Sequence, residues 1–141
     1  MLRSIFVDTN VLLDCLAMRQ GFAEDAKAIW ILAERGEVSA YVSAISFNNA
    51  YYFLRKIIGH GSAMDALSRL RTVFTPVALD ENVLAQAIRT PMADFEDAIQ
   101  YFSAIRAETQ CVITRNAGHF PKSEDMPVVT PPEFLAQWKA Q

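Results

Sequence analysis

The sequence predicts an α/β fold of three layers, α/β/α, with a five-stranded parallel sheet in the order 3-2-1-4-5. Three observations carry that expectation. The opening stretch Ser4-Ile5-Phe6-Val7 has no formal charge and runs straight into Asp8, two small polar residues and an apolar helical pattern, as the central strand of a parallel sheet does. Strand and helix signals then alternate along the whole chain with no linker, repeat or low-complexity stretch. Right-handed crossovers restrict the topology. The chain winds one way from the first strand through the second and third, then returns to the other side for the fourth and fifth.

Each element has its own signal. A short helix from about Asn10 to Met18 is broken by Gly21, and a second from roughly Ala23 to Glu34 is closed by Gly36. Val38 to Val42 is rich in strand formers, and Ser43 is placed to cap a long helix reaching about Ile58, stopped by Gly59-His60-Gly61. Ser62 is positioned to cap the next helix, to about Arg71. The segment Val73 to Leu79 contains Pro76, which cannot donate to a strand ladder, so this third strand belongs at a sheet edge. Asp80 caps a helix to about Ile88. A further helix begins at or just before Asp94, with Phe95, Ala98, Ile99, Phe102 and Ile105 as the stripe expected on the sheet. Cys111 to Thr114 and Pro127 to Val129 supply the last two strands, and Pro131-Pro132 opens a terminal helix.

With 141 residues, 52% of them apolar, residues 1–141 form one domain with ample material for a single core. No apolar run approaches bilayer-spanning length, and the amino terminus lacks the pattern of a secretory signal, so a cytoplasmic protein is expected. Cys15 and Cys111 have no Cys or His partner at zinc spacing and read as buried, reduced thiols. A formal charge of −3 argues against a broad nucleic-acid-coating surface, while leaving local clusters such as Arg55-Lys56 free to touch phosphates.

The predicted topology brings distant carboxylates together. Asp8 ends the central strand beside the switch between first and fourth strands, where open α/β sheets place their chemistry. The helix from Asp94 runs antiparallel to the strand it feeds, so Asp94 and Asp97, three apart on one flank, begin at the same rim. Singly, an Asp at a strand end or a helix start is an ordinary cap; convergence favours chemistry. Such carboxylates repel one another, and Arg115 is the only Lys or Arg in the expected crevice. A hard divalent cation, Mg²⁺ or Mn²⁺, is the natural counter-charge, and one so held can polarise a phosphodiester and activate a water. Thr9 and Asn10 are candidates for the cation's water shell, and equally for helix capping. Asp14 either extends the cluster or faces solvent. Arg115 either meets a phosphate or pairs with Asp94 or Asp97. His60 and His119 show no metal spacing and read as surface or turn residues.

The segments Phe6-Val7-Asp8-Thr9-Asn10-Val11-Leu12, Asp94-Phe95-Glu96-Asp97-Ala98-Ile99-Gln100-Tyr101 and Val112-Ile113-Thr114-Arg115-Asn116-Ala117-Gly118-His119-Phe120 resemble the PIN-domain family. The likeness spans essentially the whole chain and is nearest to the small bacterial PIN proteins, many of them ribonuclease toxins of toxin–antitoxin pairs. It implies a Mg²⁺- or Mn²⁺-dependent endoribonuclease, a hydrolase of RNA phosphodiesters. Asp8 and Asp97 match its metal-binding carboxylates, Asp94 a further acidic position, and Thr114 and Asn116 the polar end of the fourth strand. Two departures make the site less acidic. Asn49 stands where many members carry a glutamate, and Asn116 where an aspartate is frequent. Each keeps an oxygen able to accept a hydrogen bond from a metal-bound water.

On the long helix, Phe47, Tyr51, Leu54 and Ile58 share one face that Ala50, Phe53 and Ile57 widen beyond what one sheet contact needs, leaving room for a homodimer face or an antitoxin groove. The alternative from another class is a catalytically weakened scaffold that binds RNA or protein without cutting. A phosphohydrolase with Asp8 as nucleophile, or a phospho-acceptor domain, lacks its required companions: Asn10 occupies the position of the second acid of the former.

Overall fold

β1 (Ser4–Val7) takes the centre of the sheet because it has nothing to show to water: in the computed structural model, which describes residues 3–141, Ile5, Phe6 and Val7 are all buried. It pairs in parallel with β2 (Ser39–Ser43) on one side and β4 (Val112–Ile113) on the other, with Phe6 opposite both Tyr41 and Val112. β3 (Thr75–Val77) and β5 (Val128–Val129) form the edges, so the five strands lie in the expected order β3-β2-β1-β4-β5. Pro76 is in the edge strand, where its missing N–H is harmless.

Alternation along β1 builds the two outer layers. Ile5 and Val7 point into a core shared with α1 (Thr9–Leu16), α2 (Ala23–Glu34), the carboxyl end of α3 (Ala44–Val73) and α6 (Pro131–Lys139), through Val11, Leu12, Ile29, Leu70 and Phe134. Phe6 points the other way, onto Tyr101 and Ala104 of α5 (Phe95–Arg106). Burying each such large side chain contributes about 1.5–3 kcal/mol. α4 (Glu81–Arg89) packs outside α5 through Val83 and Ala87.

Two expectations are corrected here. The stripe predicted on α5 is rotated: Tyr101 and Ala104 meet the sheet, Phe102 packs between the sheet side and α4, Ala98 and Ile99 face α4, Phe95 is 50% exposed and Ile105 is exposed too. The helix serves two neighbours, and its sheet-facing line runs on through Asp97 and Gln100, which are polar and buried. The stop expected over Gly59-His60-Gly61 is present but is confined to Gly59, which divides α3 into two helical segments. Gly59 alone adopts φ 80°, ψ 170°, which a side chain would resist, and helix resumes at once, leaving Ser62 within it rather than at a cap.

Chain direction decides what gathers at the rim. Helices that follow parallel strands begin at the carboxyl edge of the sheet, and α5, which precedes β4, begins there too. Ser43 caps α3, Asp94 caps α5 and Thr130 caps α6, while Asp8 occupies the cap position of α1 without a side-chain cap bond. The partly positive amino ends of four helices thus line one edge and favour negative charge there. Among the described residues no helix is long and apolar enough to cross a membrane.

Candidate active site

Asp8 is the deepest group at this rim. Its backbone N–H completes the β1–β4 ladder on the Ile113 carbonyl at 3.0 Å, and its own carbonyl accepts from Val11 and Leu12 in the first turn of α1. The carboxylate is 2% exposed. Thr114 Oγ1 donates to its Oδ2 at 2.8 Å, and Asn10 Nδ2 lies 3.5 Å from the same oxygen and 3.2 Å from the Thr114 hydroxyl. Asn10 Oδ1 in turn accepts from the Arg115 backbone at 3.3 Å. Asn10 therefore ties β1 to the loop after β4. Burial, followed by the nearby Glu96 carboxylate, pushes Asp8 up to about 7; the Thr114 bond opposes this and Asp97 adds to it.

Asp94 and Asp97 meet at the start of α5. Asp94 Oδ1 accepts from the Asp97 backbone N–H at 2.8 Å, so Asp94 is the cap and stays exposed while Asp97 turns inward and is buried. Burial first, then Asp94, raises the Asp97 pKa, while His119, whose Nδ1 lies 3.7 Å from Asp97 Oδ2, lowers it. His119, read as a surface or turn residue, is exposed in the short 3₁₀ turn Ala117–His119 and from there also flanks the cluster.

Glu96 is the member that sequence reasoning passed over. Its Oε2 accepts from Gln100 Nε2 at 3.0 Å, Asn49 Nδ2 at 3.2 Å and Thr9 Oγ1 at 3.4 Å. Carboxylate oxygens of Asp94, Glu96 and Asp97 all lie within 4.8 Å of one another. Burial raises the Glu96 pKa, with Asp97 and Asp94 adding to it against the hydrogen bonds from Gln100 and Thr9. The signal was available: Glu96 and Gln100 are one helical turn apart, and buried Thr9, Ser46 and Gln100 need a common acceptor. Thr9 Oγ1 and Ser46 Oγ lie 2.7 Å apart, each 3.2 Å from Gln100 Nε2.

Several other candidates sit differently from expectation. Thr9 is spent on this internal network, and Asn49 donates its Nδ2 to Glu96. Asn116 is exposed, and its backbone N–H donates to Thr114 Oγ1 at 3.2 Å. Asp14 neither joins the cluster nor faces solvent: it is buried between Arg115, 2.7 Å away, and Arg19, 3.4 Å away. Arg115 therefore pairs with Asp14 and not with Asp94 or Asp97, and its guanidinium stacks on Phe22 at 4.2 Å. Cys111 is buried, Cys15 only partly, and both are free thiols.

The four carboxylates of Asp8, Asp94, Glu96 and Asp97 have His119 as their only basic ion-pair partner among the described residues. Hard oxygen donors carrying this much uncompensated charge fit a divalent cation of the Mg²⁺ or Mn²⁺ kind.

A family model described as PIN domain matches residues 4–118. A search of curated proteins gave no match. Among solved structures, the chain is similar to a toxin–antitoxin complex from Klebsiella pneumoniae, at 23% identity and TM-score 0.68 over 90% of this chain and 97% of that one. It is also similar to VapBC2 from Rickettsia felis bound to a promoter DNA fragment, at 11% identity and TM-score 0.66 over 90% and 98%. A third is VapC20 of Mycobacterium tuberculosis, described as a Sarcin-Ricin loop cleaving toxin, at 21% identity and TM-score 0.62 over 77% and 86%. These likenesses are of fold.

Proposed function

The chain belongs to the PIN-domain family, and from that premise we propose that it is a divalent-metal-dependent endoribonuclease, the toxin of a toxin–antitoxin pair. The observation that carries the reading is the set of acidic side chains at the carboxyl rim, held in place by hydrogen bonds and left without Lys or Arg partners. A structural role would have been served by ion pairs; a site that must receive a cation has to keep its charge open. VapC20, of the same fold, is described as a Sarcin-Ricin loop cleaving toxin, and RNA is the substrate proposed here.

Each residue then has a task. Mg²⁺ or Mn²⁺, when bound, supplies charge to the phosphodiester oxygens and a water of lowered pKa. Asp8 and Asp97 hold the ion, and Asp94 both caps α5 and adds negative charge at the rim. Thr114 and Asn10 orient Asp8. His119, whose Nδ1 lies 3.7 Å from Asp97 Oδ2, is the basic side chain nearest the cluster and the one placed to exchange a proton there. Arg115 has its Nε committed to Asp14, and its terminal nitrogens remain to meet an RNA phosphate at the edge of the site.

Cleavage of a labelled RNA panel in Mg²⁺, Mn²⁺ and EDTA, with Asp97→Asn prepared identically, tests the reading. Metal-dependent cutting that vanishes in the variant supports it. Absence of cutting together with no metal-dependent rise in Tm favours the second reading, a non-cleaving scaffold, for which the presence of Asn49 and Asn116 in place of carboxylates speaks. The antitoxin partner and a homodimer are proposed from the Klebsiella and Rickettsia complexes and from the exposed apolar side chains of Ile57 and Ile58 on α3.

A further inference from the structure

Glu96 lies where three helices meet, and its two oxygens are treated differently. Oε2 receives Gln100 from α5 itself, Asn49 from α3 and Thr9 from the first turn of α1. No donor among the described residues reaches Oε1. A carboxylate merely capping a helix would be bound by backbone N–H groups, as Asp94 is by that of Asp97. Glu96 is instead fixed by side chains alone, and its carboxylate stays within 4.8 Å of Asp97 while acting on Asp8 more strongly than Asp97 does. Holding one oxygen rigidly and leaving the other open is how an outer layer of hydrogen bonds aims a metal-binding carboxylate.

The geometry points to Glu96 as the carboxylate that completes the cation site with Asp8 and Asp97, aimed by Thr9, Asn49 and Gln100, while Asp94 acts chiefly as the cap that positions Asp97. The inference rests on the metal-dependent reading above. It also accounts for Asn49. An acid at that position would face Glu96 at hydrogen-bond distance and repel it, whereas the amide donates to it. Thr9 and Gln100 are positioning residues here, and Ser46 buttresses both.

The test is Mn²⁺ binding by titration calorimetry on the purified full chain, with melting curves in EDTA to confirm folding. Glu96→Gln keeps the size and the acceptor oxygen, and is expected to weaken Mn²⁺ binding about tenfold or more, a larger loss than Asp94→Asn causes. Asp65→Asn, on the exposed part of α3, removes the same charge away from the site and serves as the control. The double variant Asn49→Glu with Glu96→Gln moves the carboxylate across the same hydrogen bond, and is expected to regain part of the lost affinity. Glu96→Gln binding Mn²⁺ like the native chain, or losing less than Asp94→Asn, overturns the assignment while leaving the metal reading intact. A native chain that binds no Mn²⁺ overturns both. Should Glu96→Gln melt early in EDTA, Asn49→Ala and Gln100→Ala, which spare the carboxylate but release it, decide the matter: unchanged Mn²⁺ affinity in both overturns the proposal.

Discussion

Thr114 Oγ1 lies 2.8 Å from Asp8 Oδ2, joining the ends of two adjacent strands through a carboxylate with which no Lys, Arg or His among the described residues forms an ion pair. The hydroxyl donates to Asp8 and accepts from Asn10 and from the Asn116 backbone, so its position is over-determined. Thr114→Val removes the donor and leaves those partners in place. The expected cost is roughly 1.5–3 kcal/mol, the range for a hydrogen bond to a charged group, together with a marked fall in RNA cleavage. Thr114→Ser should restore both. Urea unfolding and cleavage assays check this, and a Val variant as active as the native chain would remove Thr114 from the site.

Asp8 itself is predicted to trade stability for activity. Burial and the Glu96 charge oppose its ionisation. Asp8→Asn keeps an oxygen for the Thr114 hydroxyl and removes the charge. In EDTA at pH 8 the variant should melt several degrees above the native chain, a shift matching about 1–2 kcal/mol for a domain of this size, while its metal-dependent cleavage is lost. Calorimetry in EDTA reads the first effect. A variant that melts lower would mean that the Asp8 charge is stabilised by something other than a cation.

The same group fixes a pH dependence for the metal-free protein. Its folded pKa, about 7, lies above the ordinary value of 3.8, so between these limits the folded state binds more protons than the unfolded chain. The stability this supplies is complete below about pH 4 and is lost as pH rises through 7; by pH 8 the loss is on the order of 4 kcal/mol. Glu96 and Asp97 are shifted the same way and add to it. Urea midpoints in EDTA should therefore fall between pH 5 and pH 8, and Mn²⁺ should recover most of the difference at pH 8. Midpoints that rise over this interval would contradict the burial argument.

What the sequence revealed and concealed follows from which interactions are local. Strand order, Asp8 at the switch point, the Asp94 cap and the edge position of Pro76 depend on periodicity, chain direction and backbone chemistry, all of which can be read along the chain. Glu96 and Asp14 depend on which way a helix is rotated. Because α5 packs on both α4 and the sheet, its buried arc is not the one its apolar residues trace, and Glu96 turns toward Thr9 and Asn49. Asp14 looked like a solvent or cluster residue because its partners, Arg19 and Arg115, come from five and about a hundred positions away.

That ion cluster supplies the next prediction. Asp14 is buried while Arg115 is 27% exposed and Arg19 30% exposed, so removing the acid strands two cations that can still reach water. Asp14→Ala should cost roughly 1–3 kcal/mol, below the 3–5 kcal/mol of a wholly buried pair. It should also loosen the loop after β4, whose Arg115 backbone is tied to Asn10, and so slow cleavage without abolishing Mn²⁺ binding. Loss of Mn²⁺ binding at unchanged stability would instead place Asp14 in the metal site.

The exposed face of α3 offers a prediction about assembly. Ala50 and Leu54 are buried, but Ile57 is 60% and Ile58 44% exposed, adjacent apolar side chains beside the Gly59 kink that the domain itself does not cover. Surface this apolar is explained by a partner copy or an antitoxin segment. Substituting Asp for Ile57 and Ile58 together touches no core contact, so the Tm of the isolated chain should change by only the amount usual for surface positions, within about 0.5 kcal/mol. If α3 is the homodimer face, light scattering will show a dimer for the native chain and a monomer for the double variant, with metal-dependent cleavage per chain retained. A dimer in both moves the contact elsewhere, and a monomer in both leaves the face to the antitoxin, which co-purification of the two proteins would then have to lose in the same variant.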